Sequence, residues 1–200
     1  MNIMVFEGFL GSGKTFGMSL FAKHYEEKSG CVLYSNYGLI GSKPFVTLDT
    51  FHDIAKEKSS ILNLDEAHID LDARSFSSNS VKFFSQLSYY LRKLRCTLFI
   101  TSPSFDDLDS RIRGITNVLV RVSNDKNYFY YKMYDVQSKR YLKTMRIQKK
   151  KAFAIGSKVY DTTAMVSPVQ VPDKRQDFME FLEALKSTAE EYGRQYKHSA

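Results

Sequence analysis

A glycine-rich segment near the start of the chain carries the clearest chemical signal in the sequence. Residues 8–15 read Gly-Phe-Leu-Gly-Ser-Gly-Lys-Thr and satisfy the pattern G-x-x-x-x-G-K-[ST]. Glycines let consecutive backbone N–H groups turn inward around a phosphate, and a helix that begins there adds partial positive charge. The sequence therefore predicts a phosphate-binding loop made by Gly8, Gly11, Ser12, Gly13, Lys14 and Thr15.

The last two residues of this loop have separate predicted roles. The ammonium group of Lys14 is expected to reach the β- and γ-phosphates of a nucleotide, and the hydroxyl of Thr15 is expected to coordinate Mg²⁺. ATP and Mg²⁺ are therefore the expected cofactors. A glycine-rich turn that precedes a lysine by chance is the alternative, but it leaves the complete spacing unexplained.

Two acidic residues follow a second apolar segment. Residues 61–66 read Ile-Leu-Asn-Leu-Asp-Glu, so Asp65 and Glu66 come at the end of a predicted buried strand. Asp65 is expected to hold Mg²⁺ directly or through water, and Glu66 is expected to activate an attacking water. An acidic helix cap is the alternative. A carboxylate beside the γ-phosphate suits hydrolysis better than transfer, so ATP hydrolysis is the predicted reaction.

Weaker candidates lie elsewhere along the chain. Ser102 follows a predicted strand, where its side chain either senses the γ-phosphate or caps the strand. Arg111 and Arg113 either pair locally with acids or reach the phosphate of a neighbouring subunit, and the second role requires an oligomer. His68 is interpreted as a loop or supporting residue.

Strands and helices that could position these residues alternate along the first part of the chain. Apolar segments predict strands at 3–6, 31–34, 61–64, 96–101 and 118–122, with a further candidate at 45–48. Helical spacing predicts helices after the glycine loop and at about 49–58, 79–94 and 106–112. This alternation is typical of an α/β fold with a parallel sheet covered on both faces.

The second part of the chain has a different pattern. Residues 128–136 and 141–147 predict a β-hairpin, a basic run and an irregular, proline-containing segment follow, and residues 173–192 predict an amphipathic helix. We therefore predict a core at 1–125, a hairpin extension of the same domain at 126–165, and a linker and helix at 166–200. The sequence leaves open whether this helix packs on its own domain or docks on another component.

Positive charge is concentrated in residues 121–160. This stretch contains eleven basic and two acidic residues, a net charge of +9, so the rest of the +7 chain sums to −2. It also contains six tyrosines, and basic groups alternating with aromatic rings are typical of nucleic-acid contact. Tyrosines packed on the core and solvated lysines are the alternative. The candidate residues are Lys132, Lys139, Arg140, Lys143, Arg146, Lys149, Lys150 and Lys151.

Composition sets the broad class. With 43% hydrophobic and 26% charged residues, the chain is typical of a globular protein rather than of a mainly disordered one. Cys31 and Cys96 lie in apolar runs, which indicates buried thiols in a reducing compartment. We find no signal peptide and no stretch of about 18 apolar residues, so a cytoplasmic location is expected.

The motifs in this order resemble the zonular occludens toxin-like (Zot) proteins and viral genome-packaging ATPases of the FtsK/HerA superfamily. The likeness covers about residues 1–122. Besides the loop and the Asp-Glu pair, the matching segments are Val-Leu-Tyr-Ser-Asn-Tyr-Gly-Leu at 32–39, Asp72-Ala-Arg74, Tyr-Leu-Arg-Lys at 90–93, Leu-Phe-Ile-Thr-Ser at 98–102 and Leu-Asp-Ser-Arg-Ile-Arg at 108–113.

The resemblance implies a RecA-like core in which the strand ending at Thr101 lies between the phosphate-loop strand and the Asp-Glu strand. It also implies a homo-oligomeric ring, usually of six subunits, that couples ATP hydrolysis to DNA movement, with Arg111 or Arg113 acting in trans. Ser102 departs from the family pattern, because these proteins usually carry glutamine there.

Two other functions compete with DNA translocation. One is a Zot-like phage morphogenesis or export ATPase that contacts a capsid or membrane component through its C-terminal helix. The other is a small-molecule P-loop kinase, which the Asp-Glu pair disfavours.

Overall fold

The computed structural model describes residues 3–67, 86–167, 169–170, 172 and 174–198. Several of the sequence predictions fall outside the described residues: His68, the Asp72-Ala-Arg74 segment and the first part of the helix predicted at 79–94.

A single sheet joins the eight strands of the described chain. These are β1 (Ile3–Glu7), β2 (Val32–Ser35), β3 (Lys43–Pro44), β4 (Ser60–Leu64), β5 (Cys96–Ser102), β6 (Val118–Asn124), β7 (Tyr128–Asp135) and β8 (Arg140–Gln148). Their order is β3-β2-β4-β5-β1-β6-β7-β8. The first six strands pair in parallel, and β7 and β8 add an antiparallel hairpin. The predicted α/β fold is confirmed, including the place of β5 between β1 and β4.

Helices cover both faces of the sheet. The helices that the structure describes from end to end are α1 (Lys14–Ser29), α2 (Thr50–Lys56), α3 (Ser110–Ile115), α4 (Lys149–Val159) and α5 (Arg175–His198). One buried cluster fills the face under α2, α3 and α5, and a second fills the face under α1 and α4. Alternation along β1 serves both, since Ile3 and Val5 belong to the first cluster and Met4 and Phe6 to the second.

Three predicted elements differ from the structure. Residues 45–48 form no strand. Phe45 and Leu48 are buried in the connection between β3 and α2, and this burial accounts for the apolar pattern. Residues 86–88 are helical but 89–95 form turns, so the helix predicted to reach residue 94 ends earlier. The helix predicted at 106–112 is instead a 3-10 turn at Phe105–Asp107 followed by α3.

Helix α4 replaces the irregular segment predicted after the hairpin. Its first turn consists of three lysines, which oppose the helix dipole, and Gly156 lowers the intrinsic helix propensity, so the local pattern does not favour a helix. Tertiary packing outweighs both effects, because Ala152 and Val159 are buried on the side of the sheet that also carries α1.

Helix α5 packs on its own domain, the first of the two alternatives that the sequence leaves open. Phe178, Leu182 and Leu185 are buried in the main core cluster, and α5 lies against α2. In the part of the chain that the structure describes, no helix is both long enough and apolar enough to cross a bilayer.

Candidate nucleotide site

The glycine loop connects the end of β1 to the start of α1. Gly13 has a φ of 97°, a left-handed conformation that favours glycine, and a Cβ atom at this position would lie 2.7 Å from the ring of Phe129. The backbone N–H of Gly8 donates to the carbonyl of Pro103 at 3.2 Å, and Ser12 is buried within the loop. The loop is therefore held between β5 and β7 at the N-terminus of a 16-residue helix.

Lys14 lies across the loop that precedes it. Its ammonium group donates to the carbonyl oxygens of Gly8 at 2.8 Å and Phe9 at 3.2 Å. Burial lowers the pKa of Lys14, although the nearby carboxylates of Asp65 and Glu66 act in the opposite direction. An anion bound by the loop would restore the environment that a buried ammonium group requires.

Asp65 lies where three elements of the fold meet. Both of its carboxylate oxygens accept from the hydroxyl of Thr15 at 3.0 Å, and Oδ1 also accepts from the hydroxyl of Thr101 at 2.5 Å. Burial raises the pKa of Asp65, and the two hydroxyl donors only partly offset this effect. The two predicted metal ligands, Thr15 and Asp65, are thus side by side.

Thr15 and Asp65 together fit a magnesium ion. Hydroxyl and carboxylate oxygens are hard ligands, and Mg²⁺ in nucleotide sites usually takes only one or two protein ligands besides phosphate and water. Burial removes the Asp65 carboxylate from water and is the main cause of its raised pKa, although Lys14 acts in the opposite direction. A divalent cation would compensate the charge of this carboxylate further.

Glu66 adopts a strained backbone conformation next to this pair. Its φ of 52° is uncommon for a residue with a side chain, and its backbone N–H donates to the Thr101 hydroxyl at 2.9 Å. Glu66 lines the same cavity as Lys14 and Thr15. The second predicted acid therefore lies where it can act on the contents of that cavity.

Thr101, rather than Ser102, contacts the acidic pair. The Ser102 hydroxyl is buried and donates to the carbonyl of Ser104 at 2.7 Å, because successive side chains of a strand point to opposite faces. Ser102 does not line the cavity, so the structure gives its predicted sensor role no direct contact with the loop or the acids.

Asn36 holds the backbone of Asp65 and was not identified as a functional residue from the sequence. Its Oδ1 accepts from the Asp65 N–H at 2.8 Å, and its Nδ2 donates to the Asp65 carbonyl at 3.2 Å. The available signal was its position directly after β2. The carboxyl ends of neighbouring parallel strands meet at one edge of a sheet, which brings Asn36 to Asp65.

Ser19 and Tyr37 form a hydrogen-bonded pair that supports the backbone of Thr15. The Ser19 hydroxyl donates to the Thr15 carbonyl at 2.7 Å and lies 2.8 Å from the hydroxyl of Tyr37. Both residues are buried. The start of α1 is therefore fixed relative to the segment that follows β2.

A cavity of about 430 Å³ lies between the loop and α4. One wall is the phosphate loop with Asp65 and Glu66, and the other comes from α4 and the residues after it: Ala152, Phe153, Gly156, Ser157, Tyr160 and Thr162. Sequence reasoning missed this second wall because it predicted no helix there.

The two candidate arginines pair with acids of their own chain. Arg111 Nε lies 3.5 Å from Oδ1 of the buried Asp109, and Arg113 Nη1 lies 2.5 Å from Asp106 Oδ1. Neither arginine lines the cavity. Their action in trans stays a prediction.

The basic candidates of residues 121–160 divide between several surfaces. Along β7, Phe129, Tyr131 and Met133 are buried against α1 and α4, while the alternate residues point to the opposite face of the sheet. Lys132 lies on that opposite face and pairs with Thr144, whereas Lys143 pairs with Met133 on the helix-covered face.

The opposite face of β6–β8, named here the open face, combines arginine, lysine and tyrosine. The guanidinium of Arg121 lies 5.4 Å from the centroid of the Tyr134 ring, and the guanidinium of Arg146 lies 5.4 Å from the centroid of the Tyr128 ring. Lys139 and Arg140 lie at the hairpin turn, and Lys149, Lys150 and Lys151 begin α4. The eight candidates therefore do not form one continuous surface.

The strand order and the site together define a P-loop NTPase fold of the RecA-like class. The glycine loop joins β1 to α1, the acidic pair ends β4, and Thr101 lies on the strand between them. No protein-family model and no curated protein matches the sequence.

Solved structures with the same fold include the proteins suggested by the sequence resemblance. The N-terminal domain of zonular occludens toxin from Neisseria meningitidis superposes with a TM-score of 0.58 at 18% identity, over 80% of this chain and 98% of that one. The genome packaging NTPase B204 from Sulfolobus turreted icosahedral virus 2, in complex with ATP-gammaS, superposes with a TM-score of 0.53 at 12% identity, over 72% of this chain and 96% of that one.

A third neighbour is a solved ATPase domain of another protein, with a TM-score of 0.54 at 11% identity, over 72% of this chain and 80% of that one. Identities this low show a shared fold. At that level the resemblance to Zot-like and genome-packaging proteins is confirmed.

Proposed function

We propose that this protein is a Mg²⁺-dependent ATPase that forms a ring and moves nucleic acid, as in the packaging of viral or mobile-element DNA. One observation carries the proposal. Lys14, Thr15, Asp65 and Glu66, from two distant parts of the chain, line one cavity at the N-terminus of α1, and that cavity has room for a nucleotide. In the cell this activity would belong to the cytoplasm.

In this proposal each residue of the site has a defined task. The loop N–H groups and the Lys14 ammonium group bind the β- and γ-phosphates, and Thr101 keeps the carboxylate of Asp65 and the backbone of Glu66 in place. Glu66 accepts a proton from the attacking water. Thr15 and Asp65 would hold Mg²⁺, which would supply positive charge next to the phosphate oxygens.

Nucleic acid is the proposed partner because of the charge and chemistry of the second half of the chain. The open face presents cations such as Arg146 and tyrosine rings on an antiparallel hairpin, which suits contact with a phosphate backbone. B204 is described as a genome packaging NTPase, which supports the same class of partner. Residues 1–125 would form the catalytic core, and residues 126–165 would supply the β7 and β8 part of the open face and one wall of the cavity.

A ring is the proposed assembly. Phe9 and Leu10 are 88% and 94% exposed at the phosphate loop, and two apolar side chains in solvent beside a nucleotide cavity favour burial against a second copy of the chain. Arg111 or Arg113 would then reach the nucleotide of that neighbour after leaving its local acid.

ATP hydrolysis measured with and without DNA tests this proposal. We expect Mg²⁺-dependent release of phosphate that DNA stimulates and that falls as salt increases. Lys14→Ala should abolish it, and Lys28→Ala, at an exposed position of the same helix, should not. Hydrolysis absent from the unmodified protein would overturn the proposed activity, and no binding of DNA at low salt would overturn the proposed partner.

The competing function is a phage morphogenesis or export ATPase that works with a capsid or membrane component. Its support is the likeness to the N-terminal domain of zonular occludens toxin. It would use the C-terminal helix for docking, whereas the apolar face of α5 is already buried against α2. Hydrolysis without DNA stimulation, together with a partner recovered through α5, would favour this function.

A further inference from the structure

Three phenylalanines form a row along the cavity beside the phosphate loop. Phe16 follows Thr15 directly, its ring centroid lies 6.0 Å from that of Phe129, and Phe129 lies 6.2 Å from Phe153. Phe16 and Phe129 are buried, but Phe153 is 72% exposed and lines the cavity. The row therefore begins at the N-terminus of α1 and ends on an aromatic ring in solvent.

The cavity has a charged end and an aromatic end. At the charged end are Asp65, Glu66 and Tyr160. Tyr160 belongs to the segment after α4, and its ring centroid lies 6.3 Å from that of Tyr37. At the other end the first turn of α4 lies beside Phe129, since the Lys149 ammonium group is 5.1 Å from that ring. Helix α4 thus runs across the cavity from the aromatic end to the acidic end.

The polarity of the cavity fixes the direction of a bound nucleotide. Its terminal phosphates would bind at the loop and Lys14, beside Thr15 and Asp65, which would hold a metal ion. The sugar and base must then leave along the row of phenylalanines. Phe129 is unavailable for stacking because its ring lies against Gly13 and is only 6% exposed, which leaves the exposed ring of Phe153.

We propose that Phe153 is the stacking platform for the nucleobase of the bound nucleotide. This rests on the proposed nucleotide-binding function of the same cavity. Gly156 follows one helical turn later on the same face of α4, and a Cβ added there would meet nothing within 4 Å, so a slot beside Phe153 is open. A flat base that enters this slot covers an aromatic ring that is otherwise left in water.

Stacking predicts a particular selectivity. Every base has a π-face, so an aromatic platform accepts different bases with little discrimination. ATP and GTP should therefore depend on Phe153 to a similar extent, and a ligand without a base should not depend on it.

Calorimetric titration with two ligands tests the assignment. Mg²⁺-ATPγS carries a base, and Mg²⁺-tripolyphosphate does not. We expect Phe153→Ala to weaken ATPγS binding about ten-fold and to leave tripolyphosphate binding unchanged. Phe153→Tyr should restore ATPγS binding. Leu142→Ala, at a half-exposed apolar position on β8 that does not line the cavity, is the matched control.

Two results would overturn the assignment alone. The first is an unchanged affinity of Phe153→Ala for ATPγS, which would indicate that Phe153 instead contacts another subunit. The second is an equal loss of affinity for both ligands, which would indicate a general change in the site. Melting temperatures of the variants separate misfolding from loss of stacking. Failure of the unmodified protein to bind either ligand would instead overturn the proposed function, and this assignment with it.

Discussion

At the scale of single residues, Asp65 is a buried carboxylate whose charged form is unfavourable in the folded protein relative to water. Asp65 is 8% exposed and its carboxylate accepts hydrogen bonds from two threonine hydroxyls, yet its pKa is still raised because burial outweighs those bonds. The charged form of Asp65 is therefore less favourable in the folded protein than in water.

Asp65→Asn is expected to stabilise the protein when neither metal nor nucleotide is present. The folded state holds the Asp65 proton more tightly than the unfolded state, so the contribution of this group to the free energy of unfolding is lost as the pH rises through its raised pKa. The variant should be more stable than the unmodified protein at pH 7, and the gain should shrink as the pH falls toward about 4, the ordinary pKa of an aspartate. Thermal unfolding across this pH range measures it.

The effect should reverse when ligand is added. Mg²⁺-ATPγS should raise the melting temperature of the unmodified protein and have little effect on Asp65→Asn, because the variant lacks the carboxylate that holds the metal. A variant that is less stable at every pH, or that responds fully to Mg²⁺-ATPγS, would contradict the role given to Asp65.

Glu66→Gln is expected to bind ATP but to hydrolyse it at least about 100-fold more slowly, because the amide cannot accept a proton from water. Nucleotide binding and single-turnover phosphate release separate the two steps. Glu66→Gly is the matched variant, since glycine adopts the φ of 52° without strain. It should be equally inactive without loss of stability, and a fully active Glu66→Gln would remove Glu66 from this role.

At the scale of elements, local propensity and tertiary packing disagree at α1. Gly17 lies inside this helix, where glycine is about 1 kcal/mol less favourable than alanine. A Cβ atom there would lie 2.1 Å from the ring of Tyr131, which is fully buried and donates from its hydroxyl to the Gly13 carbonyl at 3.1 Å. The glycine allows β7 to brace the phosphate loop through Tyr131.

Gly17→Ala is expected to lower the free energy of unfolding by about 1 to 3 kcal/mol, because the clash with Tyr131 exceeds the gain in helix propensity. Gly156→Ala on α4 is the matched control. Its added Cβ meets nothing within 4 Å, so it should be neutral or stabilising by up to about 1 kcal/mol. Urea unfolding of both variants measures the difference, and the opposite order would contradict the packing described for Tyr131.

At the scale of the whole molecule, the sheet divides the positive charge of residues 121–160 into separate surfaces. Lys132 and Arg146 point to the open face, whereas Lys143 lies on the face that carries α1 and α4. Adding up the charge of the stretch cannot make this distinction, because neighbours on a strand point in opposite directions.

Lys132→Glu and Arg146→Glu are therefore expected to weaken DNA binding more than Lys143→Glu, although each changes the net charge equally. The logarithm of the affinity falls linearly with the logarithm of the salt concentration, and each lost phosphate contact should reduce the steepness of this line by about one. Fluorescence anisotropy with labelled DNA at several salt concentrations measures both quantities. Equal effects of all three variants would indicate attraction by net charge and would reject the open face as the contact surface.

The sequence by itself determined the features that depend on short stretches of chain. The phosphate loop, the Asp65-Glu66 pair, the alternation of strands and helices, the hairpin and the local excess of positive charge all follow from neighbouring residues. The loop, the acidic pair and each strand or helix depend on residue type and spacing over a few neighbouring positions, and the charge excess needs only a count of residues along the stretch.

Only the tertiary structure decided which residues meet. Thr101 rather than Ser102 contacts the acids, Asn36 holds Asp65 across 29 positions, and α4 forms a wall of the cavity despite an unfavourable first turn. Helix α5 packs on the core rather than leaving it. Burial and strand pairing join residues far apart in sequence, and those contacts outweigh local preferences because they remove apolar surface from water.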